Sequence, residues 1–197
     1  MAKKHGPNKE NLEATRRIFL DIARKEFSTL GYYNASTAKI VAESGMARGS
    51  LYYHFGDKKG LFRAVYEQLM QEMQAEIHNR IASQTDVWTG FMVGCLGVLD
   101  LLTTSETRRI IIDVHTALTY GERIEILQKT LLAELSDQLE KVLAANYFKG
   151  YDARPLSILI FGFLSEGGRS FEISNDVAKT REEIGQTFTN FMEKARG

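Results

Sequence analysis

Residues 36–63 read STAKIVAESGMARGSLYYHFGDKKGLFR, and the rest of the chain is organised around this stretch. It predicts two short helices joined by a tight turn, with a third beginning at once. Ser36 is a good N-cap, and Thr37 to Glu43 carries Ile40 and Val41 on its apolar side. Gly45, inside Ser44-Gly45-Met46, supplies the left-handed backbone that ends a helix and turns the chain sharply. The next helix, from about Ala47 to Phe55, has Leu51 and Phe55 four apart, toward the core. At about 100° per residue, Gly49, Ser50 and Tyr53 then point away from that core. Tyr52 and His54 fall on the flanks, and Arg48 stands at the leading end. Such a face is a poor one for bulk solvent and a good one for a DNA groove.

From Gly31 to Phe62 the run GYYNASTAKIVAESGMARGSLYYHFGDKKGLF resembles the DNA-binding signature of the TetR family of transcriptional repressors. The specific part is Gly49-Ser50-Leu51-Tyr52-Tyr53-His54-Phe55, followed by Lys58 and then Leu61-Phe62. Ala35, Ala38, Val41 and Ala47 depart from residues common in that family. The resemblance implies an all-α fold: a three-helix helix-turn-helix domain, then a C-terminal bundle, about nine helices in all, acting as a homodimer on a palindromic operator.

Charge agrees with that division. The chain is neutral overall, but residues 1–63 hold twelve Lys and Arg against six Asp and Glu, and the remainder holds thirteen against nineteen. A basic first third on an acidic remainder suits a nucleic-acid domain attached to something that should avoid phosphate; the resemblance then implies a DNA-binding domain, 1–63, and a ligand-binding and dimerisation domain, 64–197. Cys95 is the only cysteine, which excludes an intrachain disulfide or a cysteine-rich zinc site. The N-terminus lacks a signal-peptide core, and the longest apolar stretch, 87–102, contains three glycines and Asp100. A soluble cytoplasmic protein without a membrane segment is expected.

Residues 1–9 read either as a basic arm, with Lys3, Lys4 and Lys9 reaching phosphates, or as an untethered terminus. Apolar spacing predicts a first helix from Asn11 to Leu30, closed by Gly31. A fourth opens after Asp57 and runs about 25 residues to Ser83 as a rod between the domains. Lys58 and Lys59 in its first turn oppose the helix dipole, a misfit relieved if a phosphate binds there. A fifth helix from Val87 is apolar nearly all round. Its glycines 90, 94 and 97 allow either a closely packed helix or a ligand in the missing volume. A sixth segment opens at Ser105, a seventh helix runs to about Asn146, and two apolar helices, near 156–170 and 177–195, end the chain.

Within the resemblance, Gly49 lets the recognition helix approach the major groove, and Arg48 and Ser50 are candidates for base edges. Tyr52, Tyr53 and His54 would contact phosphates, with Tyr53 also able to touch a thymine methyl. Ser36, Thr37 and Lys58 would clamp the backbone. Bland alternatives are a His54 that caps its own helix and a half-buried Tyr52. The family also implies a small-molecule effector in the C-terminal domain, whose binding changes the tilt of the fourth helix and the separation of two DNA heads. Candidate contacts are Trp88, Met92, Cys95, Asp113, His115, Thr116, Tyr120, Glu166 and Arg169. An apolar pocket with few polar groups favours a hydrophobic effector. Phe161, Phe163, Leu164, Phe188, Phe191 and Met192 are candidates for an intermolecular four-helix bundle, with internal packing as the alternative.

An enzyme is not expected. The four histidines lack metal-binding spacing, no phosphate loop, nucleophile elbow or dinucleotide fingerprint occurs, and Asp113 and His115 at i, i+2 do not face each other. No cofactor or metal is implied. A DNA-binding protein without an effector is the remaining rival.

Overall fold

A computed structural model describes residues 9–197, so positions 1–8 of the basic arm lie outside the described residues. Ten helices follow: α1 (Lys9–Asn34), α2 (Thr37–Ser44), α3 (Arg48–Phe55), α4 (Lys58–Ala82), α5 (Val87–Leu101), α6 (Ser105–Ala117), α7 (Tyr120–Gln128), α8 (Leu131–Ala144), α9 (Ala153–Ser170) and α10 (Val177–Ala195).

The first three helices and the start of α4 close around Phe19, Ala23, Phe27, Ile40, Leu51, Leu61 and Phe62, all buried. Phe27 meets Phe62 edge-on at 5.0 Å, and Phe19 meets Phe55 at 6.2 Å. Full burial of one such ring contributes about 1.5–3 kcal/mol, so this cluster outweighs the surface ion pairs of the head. The predicted punctuation is present. Ser36 caps α2 by accepting from the Lys39 amide, and Gly45 ends it with φ 66°. Asp57 caps α4 by accepting from the Gly60 amide at 2.7 Å. Gly60 itself is required by space, because a Cβ there would collide with the Phe55 carbonyl.

Gly31 interrupts α1 at φ 75° and ψ 167°, and one further turn reaches Asn34. The Arg109 guanidinium occupies the volume a Cβ on Gly31 would fill. Beside it, Asp113 Oδ2 accepts from the Tyr32 amide at 2.7 Å and from Arg109 Nε at 3.3 Å. Farther along the same pair of helices, Arg24 bridges Glu72 of α4 and Glu106 of α6. The head is therefore fastened to the body through α6 as well as through α4.

With 25 residues, α4 is about 37 Å long, enough to leave the head and cross the body. Against it lies α5, and close helix packing accounts for two of its glycines: a Cβ on Gly94 or Gly97 would come within 2.8 Å of Ile81 or Ile77 of α4. Gly90 has room to spare, with nothing nearer than 3.5 Å.

One element departs from the sequence pattern. The apolar run from Ile124 to Val142 predicts a single helix, but the chain breaks at Lys129 and Thr130 into α7 and α8. Thr130 leaves helical backbone angles (φ −132°, ψ −111°), and its hydroxyl donates to the Ile126 carbonyl at 2.9 Å. Such local side-chain bonds compete with the helix. Because the apolar stripe resumes in α8, periodicity did not reveal the break, and the count is ten helices among the described residues rather than about nine. Before α7, Leu118 is extended, and Thr119 with Glu122 forms a reciprocal capping box.

Gly60→Ala is expected to destabilise by about 1–3 kcal/mol through overpacking, while Gly90→Ala gains about 0.4–1 kcal/mol; urea unfolding of both variants distinguishes them. A second expectation concerns pH. The Lys59 ammonium, at 2.8 Å, and the Thr119 amide and hydroxyl hold the Glu122 carboxyl at about 2, below its ordinary 4.5. A depressed carboxylate stabilises fully above the unfolded value and loses that contribution as pH falls through the folded one. The stability difference between the wild type and Glu122→Gln should therefore be largest above pH 4.5 and vanish near pH 2, as read by urea midpoints across that range.

Candidate nucleic-acid interface and cavity

The exposed face of α3 is what the residue spacing predicts. Arg48, Gly49 and Tyr53 are exposed, Tyr53 at 72 %, and Ser50 is half-buried, while Leu51 is sealed beneath them. A Cβ on Gly49 would meet nothing, so the surface is bare at that point. Arg48 lies over the Tyr52 ring at 5.5 Å and donates to its hydroxyl at 3.3 Å. That bond, with one to Thr37, lowers the Tyr52 pKa and ties α3 to α2. Tyr52 is thus part of a polar surface cluster, not a core aromatic.

Beneath the turn, Glu26 of α1 is buried at 5 % exposure. It accepts from Lys39 Nζ at 2.6 Å and from the Ser36 amide at 3.4 Å. A carboxylate at the start of α2 also suits that helix's dipole. Sequence reading missed Glu26 because nothing in its spacing sets it apart from the solvated charges of α1.

Two nominated phosphate contacts are less free than their sequence position suggests. Lys58 Nζ donates to the Tyr33 carbonyl at 2.9 Å and lies 5.1 Å from the Tyr32 ring, and partial burial lowers its pKa. His54 is half-buried with Nε2 enclosed and unpartnered; desolvation first, and Arg16 second, lower its pKa. It does not cap its helix through that nitrogen.

The body encloses a cavity of about 320 Å³ between α4, α5, α6, α7, α8 and α9. Its wall is mainly apolar, including Met70, Met73, Phe91, Leu102, Val114 and Leu127. Of the nine residues nominated for ligand contact, Cys95, His115 and Tyr120 line it. Burial pushes the Cys95 thiol up to about 12, so it is an inert apolar surface at neutral pH. His115 and Tyr120 are exposed and mark a mouth to solvent.

The other six face elsewhere. Trp88 donates to Glu193 at 2.7 Å and packs with Phe91, Tyr147 and Phe148. Met92 is core, Asp113 serves the Tyr32 amide, and Thr116 is on the surface. Glu166 and Arg169 pair with each other at 3.2 Å on the outer face of α9. They do not line the cavity, although both lie close enough to the His115 ring at its mouth to act on its charge.

Polar groups not nominated also line the cavity: Tyr66, Arg123, Glu134, Gln138 and Ser165. Burial drives the Tyr66 hydroxyl up to about 12, so it is a neutral donor. Glu134 and Gln138 interrupt the buried stripe of α8 at i, i+4, a signal available in the sequence; Gln138 donates to Glu134 at 3.0 Å, and the His78 ring lies 3.3 Å away. Arg123 Nη1 donates to His115 Nδ1 at 2.6 Å, while Arg123 Nε is enclosed without a partner.

The terminal helices correct another expectation. Leu164, Phe188 and Met192 are buried within the chain itself, Phe163 meets Phe188 at 5.0 Å with the rings tilted, and Phe161 lines the cavity. Of that set only Phe191 is exposed, at 62 %. The outward apolar surface of α9 is instead Ile158 and Leu159, flanking bare Gly162. The stripe is wide enough to have two sides, and the sequence did not say which faces inward.

No single helix among the described residues is long and apolar enough to cross a membrane. Comparison with known proteins places these features. Residues 19–65 match the model for bacterial regulatory proteins of the tetR family, and residues 88–195 match the tetracyclin repressor-like C-terminal domain. The chain is 28% identical over 148 residues to the HTH-type transcriptional regulator AcrR of Shigella flexneri, covering 73% of this chain and 67% of that one. The crystal structure of a TetR-family transcriptional regulator from Pectobacterium atrosepticum superposes with a TM-score of 0.82 at 25% identity, over 96% of this chain and 98% of that one. The fatty-acid regulator FadR of Bacillus subtilis, solved in complex with stearoyl-CoA, shares the fold with a TM-score of 0.71 at 18% identity, over 86% and 95% of the two chains. With its helix-turn-helix head and its matched C-terminal domain, the chain belongs to the TetR family of DNA-binding transcriptional regulators.

Proposed function

We propose that this protein represses transcription by binding a palindromic operator as a homodimer and leaves it when a small molecule fills the body cavity. The observation that carries the reading is the α3 face: Arg48, Gly49, Ser50 and Tyr53 stand outward on a helix held rigidly by Leu51 and the Arg48–Tyr52–Thr37 cluster. Residues 1–63 form the DNA-binding unit and 64–197 the regulatory one, with α4 belonging to both. Arg48 and Ser50 read base edges, Gly49 admits close approach, and Tyr52, Tyr53, Ser36 and Thr37 hold the phosphates. Lys58 joins them by exchanging the Tyr33 carbonyl for a phosphate oxygen. The His54 ring supports the helix from behind.

Two copies are needed because half-sites about 34–36 Å apart are read by a symmetric pair of recognition helices. Ile158, Leu159 and Phe191, exposed on adjacent α9 and α10, supply an apolar patch for pairing. The cavity is the effector site, since it is apolar, reaches solvent beside His115 and Tyr120 and is lined by α4 and α6, the two helices that also carry the head. FadR, whose fold this chain shares, was solved with a ligand. The protein acts in the cytoplasm, where its DNA is, and has no catalytic role.

Genomic footprinting of the purified protein, particularly upstream of its own gene, is expected to reveal a palindromic site; uniform binding to all duplex sequences would sink the repressor reading. On that site Arg48→Ala should cost about 1–3 kcal/mol at one position, and Lys58→Ala should weaken all sequences alike and reduce the salt slope by about one; binding titrations over a salt series measure both. Phe191→Glu should yield a folded monomer in sedimentation velocity with helical circular dichroism intact.

A further inference from the structure

The cavity mouth carries an imbalance of charge. Arg123 enters no ion pair among the described residues; its hydrogen-bond partner is the neutral ring of His115, and its guanidinium lies 5.7 Å from the Tyr120 ring. Its Nε is enclosed with no acceptor. Nearby cations on the same side of the molecule are already matched: Lys59 with Glu122, Arg63 with Glu125, and Arg169 with Glu166. A guanidinium presents five donors in a planar fork and has no way to shed its charge. An enclosed N–H without a partner is rare in folded proteins, and one at a cavity wall marks where a ligand acceptor belongs.

From this uncompensated guanidinium at the mouth of an apolar cavity, we infer that the effector is a monoanionic amphiphile whose carboxylate is held by Arg123. The inference rests on the effector reading above and adds the charge and shape of the ligand to it. One unmatched cation calls for one negative charge. Tyr66, also in the wall, is a neutral hydroxyl that can donate to the same headgroup. Below the mouth the wall turns to Met70, Met73, Phe91 and Cys95, all buried, which suits an unbranched or aromatic hydrocarbon body. The acid in the wall, Glu134, does not reverse this preference. Gln138 donates to one of its oxygens and the His78 ring lies against the other, so each oxygen has a partner inside the protein, whereas Arg123 Nε has none. A cationic headgroup would compete with Gln138 and His78 for those oxygens and would meet Arg123 at the entrance.

The test uses the full-length protein and three ten-carbon probes that differ only in headgroup: decanoate, decanol and decylamine. Isothermal titration at neutral pH is expected to show decanoate binding at least tenfold more tightly than decanol, with decylamine weakest. Arg123→Met should erase the decanoate-over-decanol preference while decanol affinity holds, and Arg123→Lys should retain a preference for the anion. Equal affinity for decanoate and decanol, tighter binding of decylamine, or an unchanged preference in Arg123→Met would overturn the headgroup assignment and leave the effector reading standing. If none of the three probes binds, and footprinted operator DNA is retained in their presence, the cavity is not an effector site and both readings fall.

Discussion

One backbone amide fixes how the end of α1 meets α6 of the body. Gly31 takes the chain out of the helical region, and the Tyr32 N–H that follows points at the Asp113 carboxylate of α6. A buried or half-buried amide left without an acceptor costs about 1–3 kcal/mol, so the bond is favoured only while α6 is in register with the end of α1. Arg109 fills the space vacated by the glycine side chain and steadies the same carboxylate. The head thus depends on where α6 stands, and α6 forms one wall of the cavity through Ile111, Val114 and His115. The proposed effector and the DNA face therefore act on opposite sides of one helix.

The second connection runs through α4. Its first turn is fixed in the head by the Asp57 cap, by Gly60 against the Phe55 carbonyl and by Leu61 and Phe62 in the core. Three turns later the same helix presents Met70 and Met73 to the cavity, and its last turns pack on the glycines of α5. A rigid element with both ends committed transmits displacement in preference to absorbing it. Arg24 reaches from α1 to Glu72 of α4 and Glu106 of α6 and so links the head to both helices.

The head was legible in the sequence because its signals are local. Ser36, Gly45 and Asp57 act on their own neighbours in the chain, and the outward face of α3 follows from Leu51 and Phe55 by helical phase alone. The body was legible only as a set of helices. Which side of α9 or α10 turns inward depends on partners far away in sequence, so Leu164 and Phe188 suited an intermolecular bundle or internal packing equally, and they are buried within the chain. The same blindness misdirected Asp113, while Arg123 looks like an ordinary solvated charge until the tertiary structure closes over it. The break at Thr130 was hidden because the apolar stripe runs through it undisturbed.

Because Met70 and Met73 belong to the helix that also anchors Leu61 and Phe62, ligand preference and operator occupancy cannot drift apart freely during evolution. On the proposed reading, a substitution that reshapes the chamber would also reset the resting tilt of the rod, and with it the basal output of the regulated promoter. Lineages that change ligand would be expected to do so first along α8, whose side chains border the chamber without ion pairs to the head such as those α7 makes through Glu122 and Glu125.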